Sequence, residues 1–248
     1  MGMRGFSMLV VAVAMAVLGV SCGGSSGETS DDKSAASSGD EAKPTLRGHM
    51  EANFDLALTA RDGIIAGSLI QAKDAAVRLA EQNYATVLPA EWMPGVERMQ
   101  SAARELADAQ DLAQGASRVA SLAQTCGECH ATFEKHDLGR PVAGGKGEFG
   151  ESENMHERMM RHERAANAFW FGLTMPSEES WKSGADALLN APAAPVGKDG
   201  KPVGEAMSAR LEEVRGIARR ALTATAAGDR AALYAEFLGK CSSCHTGT

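Results

Sequence analysis

The pentapeptide Cys-X-X-Cys-His occurs twice, as Cys126-Gly127-Glu128-Cys129-His130 and as Cys241-Ser242-Ser243-Cys244-His245. Whatever fold the chain takes must accommodate the motif twice. The residue types fit one chemistry closely: two thiols add across the vinyl groups of a porphyrin, and the adjoining imidazole coordinates its iron, which is c-type haem attachment. One covalent haem c per motif makes two, on Cys126 and Cys129 and on Cys241 and Cys244, with His130 and His245 as proximal iron ligands. Two other chemistries use the same cysteines. Four thiolates can make a tetrahedral zinc site, and each pair can be a dithiol redox centre. Neither asks for a His directly after each pair, and the stretch from Cys129 to Cys241 is long enough for a whole domain.

Such attachment takes place outside the cytoplasm, so an export signal is expected. Residues 1–22 supply one, with Arg4 as the positive n-region and Leu9 to Val20 as an apolar run too short for a comfortable membrane span. An uncleaved anchor helix is the alternative. Cys22, followed by Gly23, Gly24, Ser25 and Ser26, resembles the lipid-carrying Cys of a bacterial lipoprotein signal; a general secretory signal with an incidental Cys is the competing reading. Residues 23–45 hold almost no large apolar side chains and are expected to be a disordered tether. The chain is therefore expected in the periplasm, held to a membrane through its lipid. The net charge of −7 disfavours nucleic acid and favours redox partner proteins with basic docking surfaces.

The rest reads as a duplication. Aligned on their motifs, the halves match without gaps backwards from each Cys-X-X-Cys-His, with Ala103-Arg104 over Ala218-Arg219 and Ala116 over Ala231. A second block places Met50 on Met155, Phe54 on Met159, Ala60 on Ala165 and Gly67 on Gly172, at an offset ten residues smaller. The expected organisation is a first domain over 46–137, a Gly-rich linker over 138–151 and a second domain over 152–248. Apolar residues recur at helical spacing, as in Phe54, Leu58, Ile65, Leu69, Ala72, Ala76 and Leu79. With the breaks near Gly67 and Pro89 to Gly95, that pattern predicts an all-α fold of four helices per half, two tandem four-helix bundles. On a helix the two Cys and the His stand at i, i+3 and i+4 and share a face.

In the common small cytochrome c fold the motif comes early and a Met ligand follows later, whereas only Thr246, Gly247 and Thr248 follow His245 here. With the motif on its last helix, each half instead resembles the cytochrome c′ family of four-helix bundles. That resemblance implies that the residue opposite the proximal His comes from the first helix, with Met in six-coordinate relatives and an apolar residue in five-coordinate ones. Met50 and Met155 are the candidate distal ligands, beside core methionines as the simpler role; His49 and His156 are weaker candidates. The resemblance implies single-electron transfer in an exported di-haem cytochrome, and no catalysis beyond that. The alternative is a five-coordinate iron that binds or senses nitric oxide or carbon monoxide, for which apolar packing by Phe54 or Met159 would speak.

Overall fold

Short polar side chains start most of the helices, and apolar periodicity carries them on. The computed structural model describes residues 45–84, 88–133, 154–192, 196–197 and 199–247. They form eight α-helices: α1 (Leu46–Ile65), α2 (Leu69–Ala80), α3 (Met93–Ala107), α4 (Leu112–Thr132), α5 (Met155–Thr174), α6 (Glu178–Leu189), α7 (Glu205–Ala221) and α8 (Ala227–Thr246). Thr45, Ser68, Asp111 and Ser177 each accept a hydrogen bond from the backbone N–H three residues on, and Asn154 forms a capping box with Glu157. There is no β-strand among the described residues, so the all-α expectation holds. None of these helices is long and apolar enough to cross a membrane. Cys22, the leader and the linker over 138–151 lie outside the described residues.

Within each half the helices pack in chain order, α1 on α2, α2 on α3 and α3 on α4, then α5 on α6, α6 on α7 and α7 on α8. The first helix of each half also touches the last, α1 on α4 and α5 on α8. The halves meet along α4 and α8, with α4 against α5 and α1 against α8. A single buried cluster therefore runs from Leu56 and Ile64 through Val119 and Leu122 to Phe169, Trp181 and Phe237. A smaller cluster of Tyr84, Leu88 and Val96 closes one end of the first half.

The helix bounds also revise the register of the repeat. α1 and α5 are both 20 residues long and start 109 residues apart, and so do the 12-residue α2 and α6. Side-chain-free contacts agree with this offset. A Cβ on Gly63 would sit 2.8 Å from Ala72 N and one on Gly172 2.9 Å from Trp181 Cα, and Ala72 and Trp181 are themselves 109 residues apart. The sequence alignment had slipped four residues in this block, close to one turn of 3.6, a shift that leaves the apolar period nearly intact. Met155 is consequently the counterpart of Leu46, and the counterpart of Met50 is Met159. The α4 and α8 block keeps the register expected from sequence.

Candidate cofactor sites

Cys126, Cys129 and His130 lie in the last turns of α4, and Cys241, Cys244 and His245 in the last turns of α8. Each set lines its own cavity. The first cavity, about 770 Å³, is bounded by Met50, Phe54, Gly95, Met99, Cys126, Cys129 and His130. The second, about 300 Å³, is bounded by Met159, His162, Leu211, Val214, Cys241, Cys244 and His245. Both volumes fall in the range of small-molecule and cofactor sites, about 300–1,000 Å³.

The two cysteine pairs sit on different helices and line different cavities, so they do not pool into one four-sulfur site. All four thiols are unbridged. Desolvation pushes Cys126 and Cys241 up to about 12 and raises Cys129 as well. A dithiol redox centre needs the opposite, a thiol lowered toward neutrality.

His130 is oriented by a backbone carbonyl, with Nδ1 2.7 Å from the carbonyl oxygen of Thr174. An N–H on Nδ1 donates there and puts the ring's lone pair on Nε2, the tautomer metal-ligating histidines use. This bond comes from the other half, because Thr174 closes α5. α4 approaches α5 so closely that a Cβ on Gly127 would lie 2.0 Å from the Leu173 carbonyl oxygen. Glycine between the cysteines thus lets His130 reach its partner.

Each cavity borrows a wall from the opposite half. Trp170, Phe171 and Thr174 of α5 line the first cavity, while Arg61, Asp62 and Ile65 of α1 line the second. At the offset of 109 these are the same three positions exchanged. The rings of Phe54 and Phe171 lie 5.6 Å apart across the junction, and the Arg61 guanidinium lies over the Trp170 ring at 5.6 Å. Nothing in the sequence pointed to this exchange, since it depends on how the halves pack.

The candidate distal residues divide. Met50 lines the first cavity, but Met155 opens α5 and is not among the residues bounding the second, where Met159 takes its place. His156 is exposed on α5, and His49 packs against Tyr84 with ring centroids 5.8 Å apart. His162 also borders the second cavity. Burial, with Arg158, Arg161 and His245 nearby, pushes it down to about 4, so it stays a neutral imidazole at pH 7.

Several buried polar atoms of cavity-lining residues lack a hydrogen-bond partner among the described residues: Asn53 Nδ2 and Trp170 Nε1 at the first cavity, Arg61 Nη1 at the second. Buried donors are rarely left so. A planar apolar group carrying carboxylates, as haem is, suits cavities that combine apolar walls with such donors. Comparison with family models, with curated proteins and with solved structures finds no match to this chain.

Proposed function

We propose that this chain is an exported di-haem c-type cytochrome that passes single electrons between partner proteins, built from two tandem four-helix bundles similar to cytochrome c′. The observation that carries this reading is the pairing of each Cys-X-X-Cys-His set with its own cavity at the end of the last helix of its half. Bound haem supplies the reversible one-electron change at iron. The chain supplies the rest. Cys126, Cys129, Cys241 and Cys244 provide thioether anchors, and His130 and His245 provide the proximal nitrogens. Met50 and Met159 offer thioether sulfurs from the first helix of each half, and such a ligand raises the reduction potential. The Thr174 carbonyl holds the His130 ring in place. In this reading the leader directs export, Cys22 carries the lipid that holds the protein at a periplasmic membrane face, and the acidic body meets partners with basic docking surfaces.

A second reading has a specific observation behind it. Phe54 borders the wide first cavity beside Met50, and an apolar residue at that wall suits a five-coordinate iron that takes up carbon monoxide or nitric oxide. One experiment tests both. The purified protein should carry two covalent haems by mass and show low-spin spectra that carbon monoxide leaves unchanged. Absence of covalent haem overturns the cytochrome reading, and a spectrum shifted by carbon monoxide moves gas binding to first place.

A further inference from the structure

The two cavities are related by the repeat but differ in charge. The contrast is sharpest at one pair of equivalent positions, Trp170 at the first cavity and Arg61 at the second. We propose that Arg61 makes the second haem site hold its electron more strongly than the first, so that electrons run from the first site to the second. This rests on the haem reading above.

The Arg61 side chain is only 6% exposed, and its guanidinium stays protonated at any working pH. A charge so placed is little screened by solvent, and its influence on a nearby redox centre is correspondingly strong. Asp62 compensates it in part, taking hydrogen bonds from Nε at 2.9 Å and Nη2 at 2.7 Å. The Asp62 carboxylate, however, belongs to a side chain 55% exposed, where water and salt damp its field. Nη1 has no hydrogen-bond partner within normal reach among the described residues; the Tyr234 hydroxyl lies close enough to favour the charge but donates its own proton to the Ala166 carbonyl at 3.2 Å. The guanidinium therefore keeps unspent hydrogen-bonding capacity and much of its charge at the cavity.

The remaining charged lining residues lean the same way. Around the first cavity stand one cation, Arg47, and two acids, Glu51 and Asp55; Arg47 is spent on Glu51 at 2.7 Å on the surface. Around the second stand Arg61, Arg210 and Lys240 against Asp62 and Glu163, and Lys240 is likewise spent on Glu213 at 2.7 Å, which leaves Arg210 to offset Glu163. Each haem would bring the same carboxylates, and the equivalent donors Trp170 Nε1 and Arg61 Nη1 could each receive one, so the carboxylate charge is common to both sites and the Arg61 charge is not. Reduction adds one negative charge at iron, so it is favoured where the protein's nearby charge is more positive. Arg61 is the largest contributor because the other cations lie nearer to solvent. Its place over the Trp170 ring, at 5.6 Å, also makes it a direct side-chain contact between the walls of the two sites.

The test is a redox titration of the holoprotein followed through its visible bands. Wild type is expected to titrate in two steps. Arg61→Gln should lower the upper step and leave the lower one nearly in place, while Arg61→Lys should keep most of the gap. In His245→Ala the step that persists at its wild-type position should be the lower one. A gap unchanged in Arg61→Gln, or persistence of the upper step in His245→Ala, overturns the proposal. Wild type alone supplies a measurement that needs no variant to fold: a gap set by a buried charge should survive an increase in ionic strength, and collapse of the gap in salt overturns it too. Lack of covalent haem would instead remove the reading beneath the proposal, and mass and spectra reveal that separately.

Discussion

The first and second halves share a frame and fill it differently. At equivalent core positions the first half places Ala60, Ala72, Val119 and Leu122, and the second places Phe169, Trp181, Tyr234 and Phe237, all buried. The aromatic set is linked ring to ring, with Phe169 4.6 Å from Trp181 and 5.7 Å from Phe237. The half built on small residues carries the wider cavity, about 770 Å³ against about 300 Å³. Two halves can thus keep matching helices while each trades side-chain volume for open space in its cavity.

The largest expected effect breaks or confirms the revised register. If Met50 and Met159 are the distal ligands, Met50→Ala converts one iron centre to high spin and Met159→Ala the other, each change being all-or-none for its centre. Met155→Ala should leave both spectra as they are, because Met155 lies outside the second cavity. Electronic spectra of the three variants decide it. A change at Met155 with none at Met159 would restore the alignment read from sequence.

The second half's dependence on its aromatics comes next in size. Trp181 is 1% exposed, packs against Phe169 with the rings tilted at 51°, and donates from Nε1 to the Ala221 carbonyl at 2.8 Å. Trp181→Ala should cost about 3–5 kcal/mol, the usual range for emptying a buried aromatic site. Its counterpart in the first half is Ala72, so that half manages the same helix crossing with a methyl group. Urea unfolding measures the cost. A loss below about 1 kcal/mol would mean that the aromatic core is not what holds the second half together.

These contrasts set the limits of what the sequence disclosed. Helix existence was legible because Leu58, Ile65, Leu69 and Ala72 repeat at helical spacing and Ser68 supplies a cap between them. The placement of both cysteine pairs and the histidines that follow them on α4 and α8 was legible too, since the motif and its apolar face share one period. The register between α1 and α5 was not, because a shift of four residues is almost a full turn. Gly63 and Gly172 held the correct answer, but only the close helix crossing shows that these two glycines correspond. The exchanged walls were out of reach for a stronger reason. Arg61 and Trp170 are more than a hundred positions apart, and neither has a local pattern that says it will meet the other half.

The smallest effect tests how the second half anchors its helix ends. Arg230 of α8 is 8% exposed, lies over the Trp181 ring at 5.3 Å, and pairs with Glu178 in the first turn of α6. The hydrogen bond from Arg230 first, and then that from Lys182, holds the Glu178 carboxyl below its ordinary range. A carboxyl with a lowered folded pKa adds stability above its unfolded value, about 4.3, and loses it as pH falls through the folded one. Glu178→Gln should therefore lower the melting temperature slightly at pH 7, and the difference from wild type should vanish in acid. A difference that stays constant from neutral to acid pH would assign the effect to helix-terminal packing and not to the ion pair. Because Glu178 itself is exposed, water competes for its charge, and the shift should be far smaller than that of Trp181→Ala.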